Sequence, residues 1–317
     1  MNAISAVILV GGPGNSMLRT QVDEPVCVLP VPGHASLIRA WLNLISQLDA
    51  VSSTEIITGR EQDRERINKE TTAWQSEYGG TVNLSCDRAE HRGTAGTVAD
   101  YLNELPSQND LLVIEGTTTP PENPHELFDP KFDSDEVAGV LGKTTASEPA
   151  GMMLLKHRVM DLVPDIGFFD LKEQLLSRVL ERGNTILVRA ITDKTIRLSS
   201  PENYFKCNQV LGARLSEDRS EGPWIHPNAT VHPEATLGVN VLVADGARID
   251  PGAVLEDAIV LHGAHIGTES LVVRSIVRHG TKVPPRTRLI RSEEYVVDAR
   301  TKKTISKPLD QRQAVES

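Results

Sequence analysis

Gly11, Gly12 and Gly14 follow directly on the apolar run Ala6-Val7-Ile8-Leu9-Val10. A short run of this kind, rich in branched side chains, reads as a buried strand of a parallel sheet. Glycines behind such a strand let the backbone come close to a phosphate or a base and offer it N–H donors. The three glycines are therefore read as a nucleotide cradle, with a tight strand–helix turn as the plainer alternative. Gly93-Thr94-Ala95-Gly96 opens a predicted helix. It sets small residues either against a base or ribose or simply against neighbouring chain. Arg88 and Arg92, around Glu90 and His91, are a candidate basic patch for an anion, or solvated charge.

Glu115 ends another apolar run, Leu111-Leu112-Val113-Ile114. Read as a strand, it places Glu115 on the same face as Thr117, roughly 6–7 Å away. A carboxylate there either holds a cation or caps a loop. Asp23 and Glu24, close to the glycine loop, repel phosphate. The three cysteines, Cys27, Cys86 and Cys207, form no CxxC pair and read as reduced structural thiols, with no zinc site.

These groups need a scaffold, and 317 residues allow one large and one small domain or two medium ones. A formal net charge of −10 argues against a general nucleic-acid binder. Apolar runs stay well below the ~18 residues needed to span a bilayer. The N-terminus lacks a basic region and a cleavage pattern. A cytoplasmic protein with no membrane partner is expected. Strands are predicted over 5–10, 54–58, 81–86, 111–115, 136–141, 151–156 and 185–190. Helices are predicted over 35–49, 61–78, 95–104, 170–182 and 201–213. This alternation predicts an α/β domain over 1–220 with a mainly parallel sheet and ligands at the carboxyl ends of its strands. Residues 117–135 read as a long loop, and Ser216–Pro223 as a boundary.

Beyond the boundary the period becomes six. Ile225, Val231, Leu237, Val243 and Ile249 are each six apart. After a one-residue slip Val254, Val260, Ile266 and Val272 continue, and Val277, Val283 and Leu289 resume the series. A hexapeptide period predicts a parallel β-helix over 223–291, followed by a polar tail, 292–317. His226, His232, His262, His265 and His279 fall within it, as a general base or as an exposed ladder.

An α/β domain opening on AVILVGGPG, with a hexapeptide domain behind it, resembles the sugar-1-phosphate nucleotidyltransferases. Glu24-Pro25 through Leu29-Pro30-Val31, Gly93–Gly96, Phe169–Leu176 and Ser200–Tyr204 carry the same resemblance, which covers about residues 3–290. It implies a Rossmann-like nucleotidyltransferase domain followed by a left-handed parallel β-helix. The implied reaction joins a nucleoside triphosphate to a sugar 1-phosphate and releases pyrophosphate. That chemistry needs cations on the phosphates and carboxylates on a bridging Mg²⁺.

The charges that the resemblance calls for are missing. Ser16 stands at the position of the loop arginine, and Val26 at that of the phosphate-binding lysine. Thr117 and Arg197 stand where metal-binding aspartates are expected. Arg88 takes the place of the base-reading glutamine, and Pro149-Ala150-Gly151 stands in a shortened sugar-side stretch. Losing one charge partner in a transition state typically costs ~3–4 kcal/mol. The implied role is a ligand-binding regulatory or scaffolding subunit with impaired catalysis. It would bind a nucleotide, sugar nucleotide or sugar phosphate, and assemble with itself or with an active paralogue. The alternative is an active enzyme with a rearranged site, using Mg²⁺ and Arg19, Arg88 or Glu115 as substitutes. A third reading is a β-helix acyltransferase or interaction module.

Overall fold

Seven strands, the central ones with most of their apolar side chains buried, organise the first unit. The computed structural model describes residues 3–11, 16–87, 92–103, 108–215, 222–290 and 296–297. Gly12, Gly14 and Arg88 lie outside the described residues. The chain divides into one unit of Met1–Leu29 with Ser36–Asn203 and another of Pro30–Ala35 with Tyr204–Ser317.

The strands of the first unit are β1 (Ile4–Leu9), β2 (Val51–Thr58), β3 (Val82–Cys86), β4 (Asp110–Glu115), β5 (Val137–Thr144), β6 (Pro149–Leu155) and β7 (Thr185–Thr192). They form one sheet in the order β3-β2-β1-β4-β6-β5-β7. The first four run parallel, as β5 does with β7, whereas β6 is antiparallel to both of its neighbours. The predicted strands 136–141 and 151–156 are thus a hairpin. Its turn closes through Thr144 N to Glu148 O at 2.8 Å and Ser147 N to Thr144 O at 2.9 Å. So short a connection returns only an antiparallel strand, because a parallel crossover needs about a dozen residues or more.

The helices are α1 (Met17–Val22), α2 (Leu37–Ile45), α3 (Glu61–Tyr78), α4 (Gly93–Leu102), α5 (Leu176–Glu181) and α6 (Pro201–Leu215). Helix α1 is absent from the sequence reading. The predicted helix 170–182 opens instead with a π-turn, Leu171–Leu175, before α5. The loop 117–135 contains two short 3-10 turns, Pro124–Leu127 and Pro130–Asp133. Each starts on a proline, whose missing N–H costs nothing at a first helical position. Val98, Leu102, Val113, Met153, Phe169 and Leu175 belong to one buried cluster that packs α4 and the π-turn on the sheet.

The second unit carries short parallel strands: β8 (Trp224–Ile225), β9 (Thr230–Val231), β10 (Thr236–Leu237), β11 (Leu242–Val243), β12 (Arg248–Ile249), β13 (Val254–Val260), β14 (His265–Ile266), β15 (Leu271–Val277), β16 (Lys282–Val283) and β17 (Arg288–Ile290). They pair in two parallel ladders. Val243 pairs with Val260 and Val260 with Val277. Ile249, Ile266 and Val283 form a second column, and Leu237, Leu255, Val272 and Leu289 a third. Stacking like on like closes the core from side chains that no single pass could bury.

The register corrects one expectation. Leu255, not Val254, enters the core: Leu255 is 0% exposed and Val254 39%. The one-residue slip therefore falls after Leu255, and a second falls after Val272. Asp257 and Arg274, at φ 47° and 45°, turn the chain at these two places. Such left-handed backbone is uncommon outside glycine, and Asp is among the residues that tolerate it.

Candidate functional site

The carboxyl ends of β1 and β4 lie side by side. Leu9 pairs with Glu115, and Gly116 N donates to Leu9 O at 2.9 Å. Gly11 begins the turn beyond β1. A Cβ there would sit 2.5 Å from Gly59 N, so only glycine permits this approach of two backbones. Ser16 Oγ accepts from Arg19 N at 3.1 Å and caps α1. Serine at this position satisfies an orphan helix donor, which is a structural task.

Arg19 is engaged elsewhere. Its guanidinium donates to both oxygens of Asp63, at 2.7 and 2.6 Å. It is held on α3, not free to replace a missing phosphate cation. Val26 is buried within a 3-10 turn, Val26–Val28, and packs as a core residue. Glu24 pairs with Arg66, and Asp23 ends α1 in left-handed backbone.

Thr117 and Arg197 come together although eighty positions separate them in the chain. Leu198 N donates to Thr117 O at 2.9 Å, and Thr118 bridges antiparallel to Arg197. Trp41 Nε1 donates to Thr118 O at 2.9 Å from inside the core and fixes the same turn. The expected placement of Glu115 and Thr117 on one strand face is corrected. Strand β4 ends at Glu115, and Thr118 N returns to Glu115 O at 3.0 Å in a tight turn. The Glu115 side chain meets Arg197 Nη2 through Oε2 and Lys172 Nζ through Oε1. Lys172 was not among the candidate residues. It lies in the π-turn, and no local pattern ties it to Glu115.

Gly93 has φ +74°, and a Cβ on it would lie 2.6 Å from Phe169 O. Ala95 N and Gly96 N both donate to Phe169 O, at 3.1 and 3.2 Å. Thr94 Oγ1 donates to Asp170 Oδ2 at 3.0 Å and accepts from Leu171 N at 2.9 Å. The small residues thus let α4 dock on the segment ahead of the π-turn. Arg92 does not join a basic patch. It is buried and donates to both oxygens of Asp100 and to the carbonyls of Gly167 and Pro164.

The carboxyl ends of β2 and β3 border an open groove of about 340 Å³, lined by Ile57, Leu84, Ser85, Cys86, Thr97 and Tyr101 among others. Behind it Glu55 is buried and accepts from Ser85 Oγ and from Tyr101 Oη. Burial raises the Glu55 carboxyl above the usual range, against the lowering effect of these bonds.

Residues 220–301 match the family model described as GMPPB C-terminal domain. The chain is 24% identical over 313 residues to a mannose-1-phosphate guanylyltransferase of Mycobacterium tuberculosis, across 86% of this chain and 83% of that protein. Both matches are to sugar-1-phosphate nucleotidyltransferases, and the chain is similar to that family. Its fold is shared with the inositol-1-phosphate CTP transferase from T. maritima, at a TM-score of 0.52 and 12% identity. That match covers 67% of this chain and 97% of the other.

Set beside what the resemblance to nucleotidyltransferases implies, the site has an unusual charge pattern. The two positions expected to carry metal-binding aspartates hold a threonine and an arginine. The carboxylate beside them, Glu115, is already countered by two cations. These residues do not fit a divalent ion, which an adjoining guanidinium and ammonium repel. Among the described residues no group of three His, Cys, Asp or Glu side chains is placed to hold a metal. The histidines of the second unit pair locally. His265 meets Asp250 at 2.8 Å, and His226 and His262 approach Asp245 at 3.4 and 3.5 Å. His232 Nδ1 accepts from Glu234 N, and the rings of His262 and His279 stack. No described helix is long and apolar enough to cross a membrane.

Proposed function

We propose that this nucleotidyltransferase homologue binds a nucleotide, sugar nucleotide or sugar phosphate with weak or no transfer chemistry. It acts as a regulatory or scaffolding subunit in sugar-nucleotide metabolism. The observation that carries this reading is the cluster of Glu115 with Arg197 and Lys172 at the expected metal position. The engagement of Arg19 by Asp63 removes a further substitute cation. The parallel ladders of the second unit are read as a left-handed β-helix, and its edges as contacts for a second copy or an active paralogue.

The relative named as a mannose-1-phosphate guanylyltransferase selects the probes. Purified protein is assayed with GTP, mannose 1-phosphate and Mg²⁺, and its melting is followed with GTP, GDP-mannose and mannose 1-phosphate. Stabilisation by a ligand without product is the expected result. Synthesis of GDP-mannose at an ordinary enzymatic rate overturns the proposal.

One observation favours an active enzyme instead: the alignment runs through most of both chains. In that case Glu115 exchanges Arg197 for a metal, and Glu115→Gln abolishes turnover.

A further inference from the structure

We infer that Lys172 and Arg197 form a cation pair that takes the phosphates of the ligand directly, without a divalent ion. The inference rests on the ligand-binding reading above and names the chemistry of that site. The two cations reach different oxygens of one carboxylate, Lys172 on Oε1 and Arg197 on Oε2. Glu115 is the inner member, its side chain 19% exposed against 38% for Lys172 and 58% for Arg197. One negative charge thus lies beneath two outward positive ones, for a local sum of +1. An ammonium has three donors and a guanidinium five. One contact from each to Glu115 leaves donors directed at solvent.

Both cations are fixed through their backbones. The bridge of Thr118 with Arg197, the bond from Leu198 N to Thr117 O, and the bond from Asn203 Nδ2 to Arg197 O at 2.9 Å hold one of them. The π-turn holds the other. Its first donors, Lys172 N and Glu173 N, are capped by Asp170 at 2.8 and 2.9 Å. That capping, with the bond from Thr94, also occupies the Asp170 carboxylate. Glu115 lies opposite Leu9, two residues before the glycine turn begins. The cation pair therefore stands beside the carboxyl end of β1. Pre-placed cations of this kind bind a diphosphate with charge-assisted bonds, in the role a metal otherwise plays. The ligand class is a diphosphate, free or within a nucleoside diphosphate sugar.

Isothermal titration of the full chain with inorganic pyrophosphate and with GDP-mannose, in EDTA and in Mg²⁺, tests this. Binding is expected in EDTA, with affinity changed less than about threefold by Mg²⁺ and falling as salt rises. Arg197→Gln and Lys172→Gln each weaken it tenfold or more, while their unchanged circular dichroism melts report an intact fold. Arg197→Lys, which keeps the charge, is expected to lose less than Arg197→Gln. Binding that appears only with Mg²⁺, or that is equal in both glutamine variants, overturns the inference and leaves the proposed function standing. Failure of both probes to bind wild-type protein overturns the inference and leaves only the scaffold role. GDP-mannose synthesis at an ordinary rate overturns the proposed function, whatever the titrations give.

Discussion

Arg19 on α1 and Asp63 on α3 meet through two hydrogen bonds, of 2.7 and 2.6 Å, with the carboxylate nearly buried. Removing the cation alone leaves that charge uncompensated. Arg19→Met is therefore expected to cost about 3 kcal/mol of stability. The Arg19→Met, Asp63→Leu double variant should recover a large part of the loss. Urea unfolding of wild type, both single variants and the double variant checks this, and additive losses would show that the pair is not coupled.

Gly93 combines a φ of +74° with contact against the Phe169 backbone. Gly93→Ala meets both left-handed strain and an overlap that backbone cannot relieve. A loss of about 2–4 kcal/mol is expected in denaturant unfolding. Gly183→Ala, also at positive φ but with open space around it, should cost less because only the strain applies.

Glu55 supplies a pH dependence. Its carboxyl is raised by burial in the fold, so the folded chain holds the proton more tightly than the unfolded one. Its contribution is complete below the ordinary carboxyl value and is lost as pH climbs through the raised one. Glu55→Gln removes that loss. The stability of wild type relative to this variant should fall as pH climbs above the ordinary carboxyl value of 4.5, measured by urea midpoints at each pH. A constant difference would contradict the assignment.

The thiols differ in reactivity. Burial pushes Cys27 and Cys207 up to about 12, and both are shielded from solvent. Cys86 is only partly buried and lines the groove, with its thiol raised by burial and by Glu61. Iodoacetamide at neutral pH should label Cys86 alone, and slowly, since the thiolate is the nucleophile. Mass spectrometry of the native protein reads the site.

Register in the second unit is open to the same kind of test. Ile266 stands in a buried column between Ile249 and Val283. Ile266→Ala should cost about 2–4 kcal/mol. Val254→Ala should change stability by less than about 0.5 kcal/mol, because Leu255 is the residue that points inward. The reverse ranking would put the one-residue slip between Ile249 and Val254 instead.

Much of the scaffold is legible from local pattern. The bounds of α3 coincide with the predicted 61–78, and the end of β1 precedes the glycines as the apolar run implies. Helix α1 escaped because six residues with one buried leucine and one buried valine carry too little periodicity; its signal was the capping serine, Ser16. The antiparallel β6 escaped because a buried strand looks alike in either direction. Only the short turn after Thr144 could have disclosed it.

Side-chain partners behave differently. The reading of Ser16, Val26, Thr117 and Arg197 at positions where the resemblance expects charge comes from the sequence by itself, since type and order are linear properties. So do the strand–helix alternation and the six-residue period. What becomes of the remaining charges does not follow, because a partner can lie anywhere along the chain. Arg19 is spent on Asp63, Arg92 on Asp100, and Glu115 on Arg197 and Lys172. Only the tertiary structure decides these pairings. Electrostatic attraction acts across a few ångströms of space, and the fold alone determines which residues stand that close.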